Sequence, residues 1–217
     1  HHFLKNVMRV NISDSIRIFD GKTGEWLAKV LSINRENTVL RVVEKIRNMI
    51  LSHDIWIIFA PIKHQRMNIV IQKATELGIT KAIPCFTEYT SLNNININNL
   101  QINAIEAAEQ SERLDIPKIE EPVKLKFLLE SWPEDRHLIY CNERLNSKKT
   151  LLNSLSNIKN DNKKIAILVG PEGGFSESEN ELIRNNRNVL SVSLGNRLLR
   201  SDTAITVALF CIQELIK

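Results

Sequence analysis

"LVGPEGGFSESE", residues 168–179, decides how this chain is read. The apolar run Ile165-Ala166-Ile167-Leu168-Val169 stops at Gly170-Pro171-Glu172-Gly173-Gly174. Three of the chain's 7 glycines fall within those positions. Ser176-x-x-Glu179 then has the form of a capping box, so a helix starts at once. Strand, glycine-rich turn and helix together can bring bare backbone up to a ligand at the carboxyl end of a parallel strand. Tight turning alone would explain one glycine easily, and Pro-Glu-Gly-Gly less well.

A second stretch has the same layout. "VLSVSL" (189–194) ends in "GNRLLR" (195–200), and Ser201 or Asp202 can cap a final helix over roughly 203–216. Two such loops side by side make a plausible ligand cradle. There is no G-x-x-x-x-G-K-[ST] phosphate loop and no early G-x-G-x-x-G dinucleotide fingerprint. No Ser/His/Asp or Cys/His set stands out. Glycines beside Leu194, Leu198 and Leu199 suit an adenine-like ring, with apolar faces around it and backbone groups reading its edge.

Further outward, "IWIIFAP" (55–61), "KAIPCF" (81–86), "HLIYC" (137–141) and "KIAILV" (164–169) read as strands separated by helical stretches, a parallel α/β pattern. Met67, Val70, Ile71, Ala74 and Leu77 follow helical spacing, with Gly78 placed to end that helix. "NNININNL" (93–100) reads as a polar connection and 101–113 as a helix stopping before Pro117. Residues 15–46 differ: "SIRIF", "EWLAKVLSI" and "TVLRVVEKI", split by the turns "DGKTG" and "NREN", form a meander and suggest a small antiparallel barrel. The boundary falls near 47–54, giving domains of 1–50 and 51–217.

Composition bounds the rest. A chain of 217 residues, 43% hydrophobic and 25% charged, is that of a folded soluble protein. No apolar run approaches the roughly 20 residues that span a bilayer, and the start does not match a signal peptide. His1-His2 reads as a tag remnant or as native sequence. Cys85, Cys141 and Cys211 are far apart in apolar runs, so reduced, buried thiols in a cytoplasmic protein are expected. The histidines show no metal-ligand spacing, and no metal is expected. Residues 1–55 hold nine Lys/Arg against six Asp/Glu, a net +3 out of +4 overall, which permits nucleic-acid contact without demanding it.

"LVGPEGGFSESE" with "LGNRLLRSDTA" (194–204) resembles the paired signature of RsmE-type 16S rRNA (uracil-N3)-methyltransferases of the SPOUT superfamily. "IQKATELGI" (71–79) and "EAAEQSERLDIPKI" (106–119) resemble two further blocks, and "HHFLKNVMRV" with "DSIRIFDG" resembles the family's PUA-like barrel. The likeness spans nearly the whole chain. It favours a native His1-His2 with an initial segment absent. It implies a deep trefoil knot in the C-terminal domain, a homodimer, S-adenosyl-L-methionine as cofactor and the 16S rRNA of the small ribosomal subunit as substrate. By resemblance the cofactor-binding residues are Val169, Gly170, Glu172 and Gly173, then Leu194, Gly195, Leu198 and Leu199, with Glu143 in a third pocket loop after Tyr140. Asn196 stands where proline is common, Ser201-Asp202 where Thr-Glu is usual, and Glu112 where a small residue is frequent. The alternatives are a SPOUT enzyme acting on a tRNA base or ribose, or a non-catalytic RNA-binding relative.

Uracil N3 carries a proton that must leave, and the resulting charge spreads onto the flanking carbonyl oxygens. Arg200, at the end of the second loop, can hold those oxygens with a planar fork of donors. Glu172 and Asp202 are the candidate bases; their other readings are an acceptor for loop amides and a helix cap. Arg9, Lys73 and Arg113 are candidate RNA contacts, as are Arg17, Lys29, Arg35 and Arg41 on the barrel; each also reads as ordinary surface charge, and Arg113 as a partner of a helix C-terminus. Trp26, Trp56 and Trp132 read as core.

Overall fold

The computed structural model describes residues 1–92, 94–142, 150–155 and 164–216. Residues 1–51 and 52–217 form two compact units.

In the first unit a short π-helical turn, Phe3–Val7, precedes three strands: β1 (Ser15–Phe19), β2 (Gly24–Ile33) and β3 (Thr38–Asn48). β2 pairs antiparallel with both neighbours, which is the meander expected. Three register shifts interrupt the β2–β3 ladder; bulges of this kind bend a ribbon and increase its twist. The β1–β2 turn is tightly specified. Gly24 sits at φ 122°, and a Cβ there would lie 2.3 Å from the Arg47 carbonyl oxygen. The Asp20 carboxylate accepts from the backbone N–H groups of Thr23 and Lys22, which lower its pKa to about 2.

In the second unit seven strands form one parallel sheet. They are β4 (Ile55–Phe59), β5 (Lys81–Phe86), β6 (Lys118–Ile119), β7 (Val123–Lys124), β8 (Arg136–Cys141), β9 (Lys164–Val169) and β10 (Val189–Val192). The order is β10-β8-β9-β4-β5-β6, with β7 also on β5. Alternation along β9 explains the layering. Ile165, Ile167 and Val169 join one apolar cluster with residues of α1 (His64–Glu76), α2 (Ile97–Gln110) and α6 (Ser201–Ile216). Ala166 and Leu168 point the other way, into a cluster with α3 (Leu125–Glu130) and α5 (Glu177–Arg184). A sheet buried on both faces reads as a continuous apolar run, which is why "KIAILV" shows no polar alternation.

Helix ends follow the local chemistry. The Ser176–Glu179 capping box of α5 is fully formed. Gly78, at φ 77°, ends α1, with Ile79 N–H donating to the Ala74 carbonyl. α2 starts earlier than expected: Asn96 caps it by accepting from the Asn99 N–H at 3.0 Å, so half of the supposed polar connection is helix. α6 also starts earlier, at Ser201, because Ala204 N–H already bonds the Arg200 carbonyl. The short β6, β7, α3 and α4 (Leu151–Leu155) leave too little periodicity to read.

Cys85 is buried, while Cys141 and Cys211 are half-buried; all three are free thiols. Trp56 lies under the Arg136 guanidinium at 3.5 Å and the Lys81 ammonium at 4.0 Å, with Trp132 edge-on, so both rings are engaged within the protein. Among the described residues no helix is long and apolar enough to cross a membrane, and no His/Cys/Asp/Glu group is arranged to hold a metal ion.

Candidate active site

The two loops singled out by sequence meet. A cavity of about 430 Å³ opens at the carboxyl ends of β8, β9 and β10. One wall is Val169, Gly170, Pro171, Glu172, Gly174 and Phe175; another is Ser193, Leu194, Gly195, Arg197, Leu198, Leu199, Arg200 and Ser201. Tyr140, Cys141 and Asn142 supply a third side from β8. Its size is that of a small-molecule site.

A side chain not read as functional ties the loops together. Ser201 does not cap α6; its hydroxyl donates to the Gly170 carbonyl at 3.0 Å, joining the start of the last helix to the start of the glycine loop. Asp202 lies next to it, accepts from the Thr203 N–H at 3.0 Å, and does not line the cavity. Gly195 sits at φ 122°, a conformation that side chains rarely adopt. A ring of polar and aromatic groups supports the glycine loop from below. The Tyr140 hydroxyl donates to Asn180 Oδ1 at 2.6 Å, and Asn180 Nδ2 donates to the Phe175 and Ser176 carbonyls. The Phe175 ring meets Tyr140 edge-on at 5.4 Å. It also fills the space beside Gly170, where an added Cβ would lie 2.6 Å from the ring. Gly173 is elsewhere: a Cβ there would face Tyr89 at 3.3 Å, and Gly173 does not line the cavity.

Three arginines edge the cavity. Arg197 and Arg200 are exposed, and their side chains make no hydrogen bond or ion pair among the described residues. Arg66, from the first turn of α1, is ion-paired with Glu172. Sequence offered little to single out Arg66 beyond its place after the carboxyl end of β4. Glu172 is therefore an exposed, paired carboxylate rather than a buried one.

The remaining predicted residues are scattered. Glu143 lies outside the described residues. Arg9 is exposed in the first unit, at φ 53°. Lys73 is half-exposed and pairs with Glu76 at 2.9 Å. Arg113 is largely buried and directed inward: it donates to the Thr75 carbonyl in the last turn of α1, to the Ile79 carbonyl beyond it, to the Ser52 hydroxyl, and to both oxygens of Asp115. Of its two readings, the helix-terminus one matches these contacts, although the helix is α1 and not the one Arg113 follows. Burial alone would raise the Asp115 pKa, but Arg113's hydrogen bonds and charge, with Ser52, hold it below the ordinary carboxylate value.

Could this cavity hold a nucleoside-bearing sulfonium? Apolar Leu194 and Leu199 are half-exposed on its wall, and Leu198 is 75% exposed, so apolar surface stands ready for a ring. Glycine backbone and the Ser193, Asn142 and Ser201 side chains surround it with polar groups. The residues fit such a group.

A family model described as "RNA methyltransferase domain" matches residues 50–213, and one described as "RNA methyltransferase PUA domain" matches residues 2–43. Fold and site thus define an RNA methyltransferase. The ribosomal RNA small subunit methyltransferase E of Rickettsia conorii is 36% identical over 208 residues, covering 96% of this chain and 84% of that protein. The namesake from a Synechocystis species is 32% identical over 220 residues, covering 100% and 71%. The crystal structure of ribosomal RNA small subunit methyltransferase E from Neisseria gonorrhoeae bound to S-adenosyl methionine superposes with a TM-score of 0.86 at 26% identity, covering 98% of this chain and 88% of that one. The chain belongs to the ribosomal RNA small subunit methyltransferase E family.

Proposed function

We propose that this protein uses S-adenosyl-L-methionine to methylate a uridine N3 in 16S rRNA of the small ribosomal subunit. One observation carries the proposal: the two loops of the paired signature wall a single cavity and are joined through the Ser201 hydroxyl and the Gly170 carbonyl. The names and bound ligand of the relatives support the same substrate and cofactor. Bound in the cavity, the cofactor would supply an electrophilic methyl group on a sulfonium.

The protein's task is then alignment and release of the uracil proton. Arg200 is the residue best placed for it: exposed on the cavity wall and without a protein partner among the described residues, it is available to hold the uracil oxygens as charge develops on them. Asp202, beside the joining Ser201, is retained as a candidate base, and Glu172 as a candidate that would first have to leave Arg66. Val169, Gly170, Leu194, Gly195, Leu198 and Leu199 would contact the cofactor, with Glu172, Gly173 and Glu143 as further candidates from the same signature. Methyl transfer from a sulfonium brings its own electrophile and needs no metal.

Residues 1–50 are assigned to RNA binding and 51–217 to catalysis. Arg9 is the RNA contact kept; Lys73 and Arg113 remain candidates only by giving up their present partners. A homodimer belongs to the same proposal, supported by Phe210 of α6, which is 57% exposed on a helix whose other apolar residues are mostly buried. The trefoil knot and a cytoplasmic location come with it; the sheet order, in which β9 inserts between β8 and β4, is compatible with a knot. The experiment is mass mapping of 16S rRNA from a bacterium lacking its own N3-methyltransferase, with and without this chain. Appearance of one N3-methyluridine is expected. Methylation of tRNA instead, or no modification, would overturn the proposal.

A further inference from the structure

A loop with three glycines loses much backbone entropy on ordering, so something must hold it. The base of the 170–175 loop is held by the Phe175 ring and by Asn180. Its tip is not reached by those contacts. Within the tip the Gly174 N–H donates to the Pro171 carbonyl at 2.9 Å and Tyr89 lies beside Gly173; the charged tie comes from Arg66, whose guanidinium pairs with the Glu172 carboxylate. The two residues differ in setting. Arg66 stands on the first turn of a thirteen-residue helix anchored by its buried neighbour Met67, and its side chain is only 25% exposed. Glu172 stands on the loop tip and is 65% exposed. A fixed cation therefore holds a carboxylate on a mobile type of backbone, and both line the same cavity.

We infer that Arg66 is a positioning residue for this site: acting through Glu172, it keeps the glycine loop in the shape that walls the cofactor cavity. The inference rests on the proposed function for its consequence, but the clamp itself is a property of the ligand-free protein. It also gives Glu172 a role other than base: its carboxylate accepts from Arg66 and is directed at α1.

The test uses Arg66→Ala, Arg66→Lys, Glu172→Gln and the Arg66→Ala/Glu172→Gln pair, each in the full chain. Amide exchange of residues 170–175 is measured without ligand, with exchange of the β4 and β9 amides as the check that the sheet is intact. Calorimetry with S-adenosylhomocysteine is measured alongside. Both Arg66→Ala and Glu172→Gln are expected to speed exchange in the loop alone and to weaken binding about five-fold, the scale of a partly exposed ion pair. The double variant should be no worse than either single, since both remove one interaction, and Arg66→Lys should recover part of the loss. In turnover, KM for the methyl donor should rise more than kcat falls. Unchanged loop exchange in Arg66→Ala would overturn the inference, as would additive losses in the double variant. A collapse of kcat in Glu172→Gln that Arg66→Ala does not share would overturn it in favour of a base. If wild type fails to bind S-adenosylhomocysteine while Arg66→Ala still loosens the loop, the proposed function fails and the clamp stands.

Discussion

Gly170 and Gly173 belong to one motif but meet different surroundings. Gly170 faces the buried Phe175 ring, so Gly170→Ala should displace that ring or the loop and destabilise the protein by about 1–3 kcal/mol, with weaker cofactor binding. At Gly173 the nearest atom is the Tyr89 Cβ at 3.3 Å, tied to its own backbone, so Gly173→Ala needs a shift of a few tenths of an ångström between two exposed residues and should cost less, about 0.5–1 kcal/mol. Denaturant unfolding of the two variants checks both values. Arg200 calls for kinetics. Arg200→Ala should lower kcat by about a hundred-fold while leaving S-adenosylhomocysteine affinity nearly intact, with Arg200→Lys restoring only part because an ammonium lacks the planar fork. Equal kcat for Arg200→Ala and wild type at saturating cofactor would remove Arg200 from the chemistry. Such residue-level distinctions were only half visible in the sequence. The glycine cluster marked the loop, but which glycine touches an aromatic ring is decided by Phe175 and Asn180 packing from below. Arg66 was missed because its partner lies 106 positions away. Charge at a helix start looks like ordinary surface until the loop that it holds is seen.

At the scale of elements, patterns that repeat were legible and patterns set by a single residue were less so. "IWIIFAP" and "KIAILV" could be read as strands because both faces of a parallel sheet are apolar. The starts of α2 and α6 were misplaced because each depends on one local bond, Asn96 to the Asn99 N–H and the Arg200 carbonyl to the Ala204 N–H. The end of α2 is more telling. Glu112 adopts φ 54°, and the Arg113 N–H reaches back to the Ala108 carbonyl, so the helix closes through a left-handed residue. That conformation gives a physical reason for a small residue at this position. Glu112→Gly should relieve left-handed strain and, after the added freedom of the unfolded chain, stabilise the protein by a few tenths to about 1 kcal/mol. Thermal unfolding checks the sign; a lower Tm would mean that the side chain's own interactions outweigh the backbone strain.

Across the catalytic unit, Arg113 and Asp115 join the end of α1, the approach to β4 and the segment after α2. Arg113→Ala should cost about 3 kcal/mol, because it strands Asp115 and two carbonyls in a largely buried place. The pair also sets an acid limit. Asp115 has a folded pKa below the ordinary 3.8, so its stabilising contribution is complete above pH 3.8 and is lost as pH falls through the lower folded value. Asp115→Asn should flatten that part of the stability–pH curve, measured by urea unfolding between pH 5 and 2. In the sequence Arg113 reads as an RNA contact, as surface charge or as a partner of the helix that it follows; its ties to α1 and Ser52 were not legible because they run to residues far along the chain. Function at this scale rests on one cavity built from two loops, and the most direct test is chemical. Purified protein, S-adenosyl-L-methionine labelled in its methyl group, and small subunits from a strain without N3-methylation are incubated together, and the rRNA is digested to nucleosides for mass spectrometry. Label in N3-methyluridine from 16S rRNA, lost in Arg200→Ala, is the predicted result; label in a ribose 2′-O-methyl group, or none at all, would contradict it.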